Sequence, residues 1–211
     1  MGKGVFITFE GSEGCGKSTQ SKLLADFLTR KGLKVLHLRE PGGVKISEKI
    51  RAILLDCKNV AMSQECEMLL YMAARAQVVK EIIKPALKKG MIVICDRFLD
   101  STIAYQGYGL GIDTGLIKRI GMFATQGIAP DLTILLDLPV RKGLLHRQYC
   151  EDRIEQRSLA YHRKVRRGYQ ALAATHARRI KVVKVQRDKH RTQERIRRLV
   201  LRALGISRHG V

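Results

Sequence analysis

Eight consecutive residues near the start of the chain, Gly11-Ser12-Glu13-Gly14-Cys15-Gly16-Lys17-Ser18, carry the clearest chemistry in the sequence. They satisfy the spacing G-x-x-x-x-G-K-[ST] at every fixed position, the pattern of a phosphate cradle. Its glycines permit tight turns that aim successive backbone N–H groups at phosphate oxygens, and a following helix adds its positive N-terminal end. Lys17 reaches the β and γ phosphates and Ser18 holds Mg2+. The plain alternative is a chance glycine-rich turn. From average residue usage, four fixed positions coincide by accident in a chain this long with a probability of roughly 1% or less. The motif also has its required context, an apolar run at 5–9 before it and a helical pattern at 17–31 after it. Residues 11–18 are therefore expected to bind ATP, with Mg2+ as the companion ion.

Beyond the cradle the chemistry turns on arginines. A motor or nucleic-acid ATPase usually ends a second strand in an acidic pair whose second member positions water. Here the apolar run 91–95 ends in Asp96-Arg97. Asp96 suits Mg2+ through water, or an acceptor group, and the Arg97 guanidinium suits bidentate contact with another phosphate. A strand-end ion pair is the plain alternative. The loop Arg39-Glu40-Pro41-Gly42-Gly43 also follows a strand-like run, and Arg51 lies on the helix after it. Three arginines outside the ATP cradle point to a phosphorylated acceptor. Tyr71 and Arg75, four residues apart, share one helix face. One can stack on a base, worth about 1–3 kcal/mol, while the other hydrogen-bonds its edge or a phosphate. Core packing is the plain reading of Tyr71 alone.

These groups need a frame to hold them. Apolar runs at 5–9, 35–38, 91–95, 132–136 and 182–185 read as buried parallel strands. Helical patterns separate them, at 17–31 with Gly32 as C-cap, at 63–89 with a possible kink at Pro85, and at 190–204. Strands alternating with helices predict βαβ units, hence a parallel sheet covered on both faces. With 211 residues, 45% of them apolar and 28% charged, the composition is globular and sufficient for one core. The five cysteines, Cys15, Cys57, Cys66, Cys95 and Cys150, form no C-x-x-C pair, and no histidine pair has metal-ligand spacing. Neither a disulfide framework nor zinc is expected, and a reducing cytoplasm fits. No signal peptide, myristoylation signal or membrane span is expected either.

Charge is the unusual feature: 40 Lys and Arg against 19 Asp and Glu, a net +21. Residues 1–140 carry only +5 of it, whereas 141–211 hold 21 basic and 5 acidic side chains, a net +16. The last helix alternates an apolar stripe, Ile196, Leu199, Val200, Ala203 and Leu204, with Arg195, Arg197, Arg198 and Arg202. Its plain reading is a helix on the sheet with a solvated basic face. Weak, salt-sensitive binding to polyanions follows from that excess, without specific nucleic-acid recognition.

Several segments taken together resemble thymidylate kinases of the bacterial type over nearly the whole chain. They are Phe9-Glu10-Gly11, the loop 39–43, Glu48-Lys49-Ile50-Arg51, Tyr71 with Ala73-Ala74-Arg75-Ala76-Gln77, and Asp96-Arg97. Ser101-Thr102, Ala104-Tyr105-Gln106-Gly107, Pro130-Asp131-Leu132 and Asp152-Arg153-Ile154-Glu155 complete the set. The resemblance implies one α/β domain over 1–211 with the three-layer P-loop NTPase fold: a parallel five-stranded sheet flanked by helices, like a nucleoside monophosphate kinase with a short lid. It implies transfer of the ATP γ-phosphoryl group to dTMP, giving dTDP and ADP on the route to dTTP for DNA synthesis, in a cytoplasmic homodimer.

By the same resemblance Tyr71 stacks on thymine, Arg75 contacts the base, and Thr102 and Gln106 lie near its edge. Arg39, Arg51 and Arg97 surround the dTMP phosphate with Glu40 and Pro41 shaping the pocket, and Glu13 approaches the sugar 3′-hydroxyl. The cradle contains no arginine, so charge at the γ-phosphate is expected from a lid at 147–157. Arg153 is its first candidate and Arg147 its second, working with Lys17, Asp96 and Arg97. Three positions depart from the family pattern: Leu110 where arginine is common, Arg157 where an acid is common, and a lid poor in arginine before Glu151. A deoxynucleoside kinase is the nearest rival, opposed by the three acceptor-side arginines, and a nucleic-acid-binding P-loop ATPase is the rival suggested by charge.

Overall fold

The five apolar runs form one parallel sheet in the computed structural model, which describes residues 4–145 and 152–206. Its strands are β1 (Val5–Glu10), β2 (Val35–Arg39), β3 (Ile92–Asp96), β4 (Leu132–Asp137) and β5 (Ile180–Lys184). They lie in the order β2-β3-β1-β4-β5, so β1 and the turn that follows it sit at the centre. Parallel neighbours need crossovers, and helices supply them. The edge strand β5 begins two residues before the expected run because Lys181 separates Ile180 from the apolar residues that follow.

Each strand turns apolar side chains to both faces. Ile7, Phe9, Ile94 and Ile134 pack with Leu24 and Leu28 of α1 (Lys17–Arg30) and with Ile196 and Val200 of the last helix, α9 (Lys189–Ala203). On the other face Phe6, Val93 and Cys95 meet Val78 and Ile83, while Leu135 meets Ile117 and Val165. The elements covering that face begin with α2 (Lys45–Leu55) and α3 (Gln64–Val78), a π-helical turn Val79–Ile83, and α4 (Lys84–Lys88). After β3 come α5 (Leu99–Thr102), a second π-helical stretch Ile103–Gly109, and α6 (Thr114–Ala124). The connection out of β4 is α7 (Val140–Leu145), and α8 (Leu159–Thr175) returns to β5. The result is the expected three-layer α/β sandwich.

The helix expected over 63–89 keeps its helical path but changes pitch. Ser63 caps it by accepting from the Cys66 N–H at 3.2 Å, and the π-helical turn Val79–Ile83 ends two residues before Pro85. Proline has no N–H to continue an i→i−4 ladder, so an adjusted turn beside it costs less than a broken helix. No described helix is long and apolar enough to cross a membrane.

Candidate active site

The cradle leaves the centre of the sheet at the end of β1. Gly11, Gly14 and Gly16 take φ values of 144°, 68° and 85°, backbone conformations that L side chains rarely adopt. Gly16 caps α1 without any side-chain hydrogen bond, so the first-turn N–H groups remain available to an anion. Lys17 Nζ donates to the Ser12 carbonyl at 2.9 Å, folding the ammonium back over the loop. Ser18 Oγ donates to Asp96 Oδ2 at 2.5 Å, while Asp96 Oδ1 is buried with no hydrogen-bond partner. A buried carboxylate oxygen without a donor calls for a cation or its bound water, and a hydroxyl beside it completes a fit to Mg2+. Cys15 lies under the loop, and burial raises its thiol pKa, so it is a packing group and not a nucleophile.

Arg97 joins this end to the next. Its φ of 73° is left-handed for a non-glycine residue, strain of about 1–3 kcal/mol that the surrounding contacts hold in place. The guanidinium donates to Glu13 Oε1 at 2.7 Å and to the Tyr105 hydroxyl at 3.2 Å, with its carbon 4.9 Å from the Tyr105 ring centroid. Tyr105 also donates to Glu13 Oε1, at 2.6 Å. Burial opposes ionisation of Glu13, but Arg97 and Lys17 outweigh it and draw the carboxyl down to about 2. Burial likewise opposes the charge on Arg97, and Glu13 outweighs it. The pair is therefore charged throughout the physiological range.

The acceptor-side residues come from four elements. Arg39, at the end of β2, donates to the Pro41 carbonyl at 2.9 Å, and Arg51 of α2 donates to the same oxygen at 3.1 Å. Arg39 also meets Glu48 Oε2 at 3.2 Å, and burial, followed by Arg39, lowers the Arg51 pKa. Arg75 of α3 is almost fully buried; it donates to Glu40 Oε2 at 2.7 Å, to Thr102 Oγ1 at 2.9 Å and to the Phe98 carbonyl at 3.0 Å. Tyr71 lies one turn before it on the same face, and burial raises its phenol pKa. Gln106, in the π-helical stretch after α5, donates its amide to Glu67 Oε1 at 2.8 Å.

One cavity of about 600 Å³ runs through these groups. Glu13, Gly14, Gly16, Lys17 and Ser18 line its donor end, and Asp96 and Arg97 its waist. Arg39, Glu40, Pro41, Arg51, Tyr71, Arg75, Thr102 and Gln106 line the acceptor end. Asp152, Ile154 and Glu155 border it as well. The cavity does not include Arg153, whose Nε donates to the Leu54 carbonyl at 3.0 Å and whose guanidinium meets Glu67 Oε2 at 2.6 Å. Arg147 and the lid segment around it, 146–151, lie outside the described residues.

Other participants had no role in the sequence reading. Glu67 is one: an acid at i−4 from Tyr71 and i−8 from Arg75, its helical spacing marks it as a member of the same face. Tyr105 lies within Ala104-Tyr105-Gln106-Gly107, where spacing alone gives no sign of its contact with Glu13. Tyr169 had no local signal at all, since it reaches the site from α8, where its hydroxyl donates to Glu10 Oε2 at 2.9 Å. Glu10 also accepts from the Phe98 N–H at 2.8 Å and Ser101 Oγ at 2.6 Å; burial, with Asp100 adding to it, pushes its carboxyl up to about 7.

The sequence model of a family described as thymidylate kinase matches residues 9–196. Among curated proteins, the thymidylate kinase of Geotalea daltonii is 53% identical over 189 residues, covering 85% of this chain and 88% of its own. That of Geotalea uraniireducens is 49% identical over 210 residues, covering 95% and 98%. Among solved structures, the thymidylate kinase of Ehrlichia chaffeensis superposes with a TM-score of 0.79 at 32% identity, over 94% of this chain and all of that one.

Proposed function

This chain belongs to the thymidylate kinase family and phosphorylates dTMP to dTDP with ATP, and from that premise we propose how its residues divide the work. The observation that carries the division is the continuous cavity with the cradle at one end and Tyr71, Arg75, Thr102 and Gln106 at the other. The donor triphosphate lies on the backbone N–H groups of 11–18 with Lys17 at its β and γ phosphates. The acceptor base stacks on Tyr71 against the edge formed by Arg75, Thr102 and Gln106. Its phosphate meets Arg97 from the waist and Arg39 and Arg51 from the Pro41 side, and Glu13 faces the sugar.

Phosphoryl transfer through a loose transition state requires alignment and neutralisation of oxygen charge more than covalent chemistry. Arg97 suits both tasks, because the Glu13 and Tyr105 contacts fix its orientation before substrate arrives. Ser18 and Asp96 are the residues that would hold Mg2+, Asp96 through water, and the ion supplies charge neutralisation at the β and γ oxygens when bound. The remaining charge comes from the lid at 147–157. Arg153 and Arg147 are its candidates, and Arg153 serves there by exchanging Glu67 for the γ-phosphate.

The chain acts as a single kinase domain and as a homodimer in the cytoplasm. Support for the dimer lies in exposed apolar residues on three adjoining helices: Ile46 and Ile53 on α2, Leu69 on α3, and Leu116, Met122 and Phe123 on α6. A second copy of the chain covers these residues in the dimer. Sedimentation of Phe123→Glu at micromolar concentration tests this, with a monomer expected and an unchanged dimer the contrary result.

A coupled ADP-release assay offering dTMP, thymidine, dUMP and single-stranded DNA separately tests the whole assignment. Turnover with dTMP and little with thymidine is expected. Stimulation by DNA without turnover of dTMP would overturn it. Thymine and uracil differ by one methyl, so dUMP is disfavoured by about 10–200-fold.

A further inference from the structure

A second cleft, of about 630 Å³, opens between the start of α7 and the outer face of α8, and it shares no lining residue with the active-site cavity. Five cationic side chains line it: Arg141 from α7, and Arg163, Lys164, Arg166 and Arg167 from α8. Val165 and Tyr169 hold the inner face of α8 in the core, which leaves Arg163, Lys164 and Arg167 exposed on the other face. Arg166 is committed to Asp137 at the end of β4, its Nε donating to Oδ1 at 2.8 Å and its Nη2 to Oδ2 at 3.0 Å. None of the other four forms an ion pair with a described acid. Arg163 and Arg167 also stand four residues apart on one helix face, a spacing at which like charges destabilise a helix. An anion seated between them removes that repulsion.

We propose that this cleft is a binding site for a short oligophosphate, either the triphosphate of a nucleotide or the free inorganic chain, separate from the donor and acceptor sites. A phosphate monoester carries about −1.5 to −2 charges, so four unpaired cations exceed what one such group balances and suit a chain of phosphates. Three of the four are guanidiniums, whose planar forks match phosphate oxygens two at a time. The position of the walls adds a consequence. α7 ends at Leu145 and α8 begins at Leu159, so the two helices are the stems on either side of the lid segment 147–157. α7 also rests on the phosphate cradle, where a Cβ on Gly143 would strike the Glu13 carbonyl. An anion that spans Arg141 and Arg163 therefore ties the two ends of the lid together from outside the reaction cavity.

Calorimetric titration with inorganic tripolyphosphate tests the site. Two equivalents per chain are expected for the native protein, one in the cradle and one in the cleft, and Lys17→Ala weakens only the first. In the Lys17→Ala background, Arg163→Gln combined with Arg167→Gln lowers the affinity of the cleft by about tenfold or more, and Arg141→Gln on the opposite wall does the same. Without Lys17→Ala these variants keep the native kcat for dTMP, which also shows that they fold, since none of the three residues borders the reaction cavity. Arg191→Gln combined with Arg195→Gln removes the same charge from α9, outside the cleft, and leaves the affinity unchanged. Inorganic phosphate binds about tenfold or more weakly than the chain. ATP titrated into Lys17→Ala separates the two sources: binding tighter than tripolyphosphate assigns the cleft to a nucleotide, weaker binding assigns it to the free chain, and both support the site. The proposal is overturned by a single native equivalent that Lys17→Ala abolishes, by an equal loss from the α9 pair, or by phosphate binding as tightly as tripolyphosphate.

Discussion

Arg153 faces a choice of anions. In the described geometry it is held by Glu67 Oε2 and the Leu54 carbonyl, and a transfer role requires it to leave both. A buried ion pair contributes little net stability when its partner can be replaced, since desolvation offsets much of the attraction. A γ-phosphate carries more negative charge than a carboxylate and so competes for the guanidinium. Arg153→Ala is therefore expected to lower kcat for dTMP by about a hundredfold or more, as removal of an arginine from a phosphoryl-transfer site does. A kcat within a few-fold of native, by single-turnover measurement, would leave Arg153 as a support for Glu67 alone. Glu10 allows a second test at this scale. Its folded pKa, about 7, lies above the unfolded value of 4.5, so the folded state binds the extra proton between those values. Stability from this group is full below about pH 4.5 and declines as pH rises toward 7, by on the order of 3 kcal/mol. The stability gap between native and Glu10→Gln, from urea midpoints at pH 5 and pH 8, should shift by that amount against the native protein. A gap independent of pH would contradict it.

Elements were more legible in the sequence than the contacts between them. Alternation of apolar runs and helical patterns was enough for the parallel sheet, because both signals are local. The exception at β5 has a local cause too, since Lys181 interrupts the apolar run at the start of an edge strand that buries less. The turn of the cradle was legible because its glycine spacing is local, and Gly11, Gly14 and Gly16 take the positive φ values which that spacing implies. Glu67 and Tyr169 were not, because their roles depend on packing: Glu67 acquires meaning only when Arg153 and Arg157 arrive, and Tyr169 only when α8 crosses Glu10. The contact of α7 with the cradle is another such case. A Cβ on Gly14 would strike the Gly143 carbonyl, and one on Gly143 would strike the Glu13 carbonyl, so two glycines let the helix entering the lid rest on the phosphate loop. Alanine at 143 suits a helix by propensity but forces α7 away from the loop. Gly143→Ala is thus expected to lower kcat/KM for ATP by about ten- to a hundredfold, the scale of an ångström of misplacement, with little loss of melting temperature. Native ATP kinetics in that variant would show the contact to be indifferent to catalysis.

The whole-molecule question is why a kinase for two small anions carries +21. The arginines of the site do not account for it, since Arg39, Arg51, Arg75 and Arg97 belong to the nearly balanced part of the chain, residues 1–140. The excess lies on outward faces around the β5 edge of the sheet. Arg163, Lys164 and Arg167 are exposed on α8, Lys184 on β5, and Arg191, Arg195, Arg198 and Arg202 on α9. Acidic neighbours neutralise little of this: Glu194 reaches Arg198 only at 3.8 Å, with both side chains more than half exposed. Self-repulsion among such groups is reduced by any polyanion that lies along them, with release of the polyanion's counterions as the driving term. Binding to a DNA duplex without sequence preference is the expected outcome. If six or more phosphates are contacted, affinity should fall by about a thousandfold or more between about 50 and 200 mM salt. Charge reversal at Arg191 and Arg195 should flatten that slope and leave dTMP kinetics at native values, because neither residue borders the cavity. Fluorescence anisotropy of a labelled duplex across salt concentrations measures both. A salt-independent affinity, or one that survives the reversals, would assign the binding to something other than this surface charge.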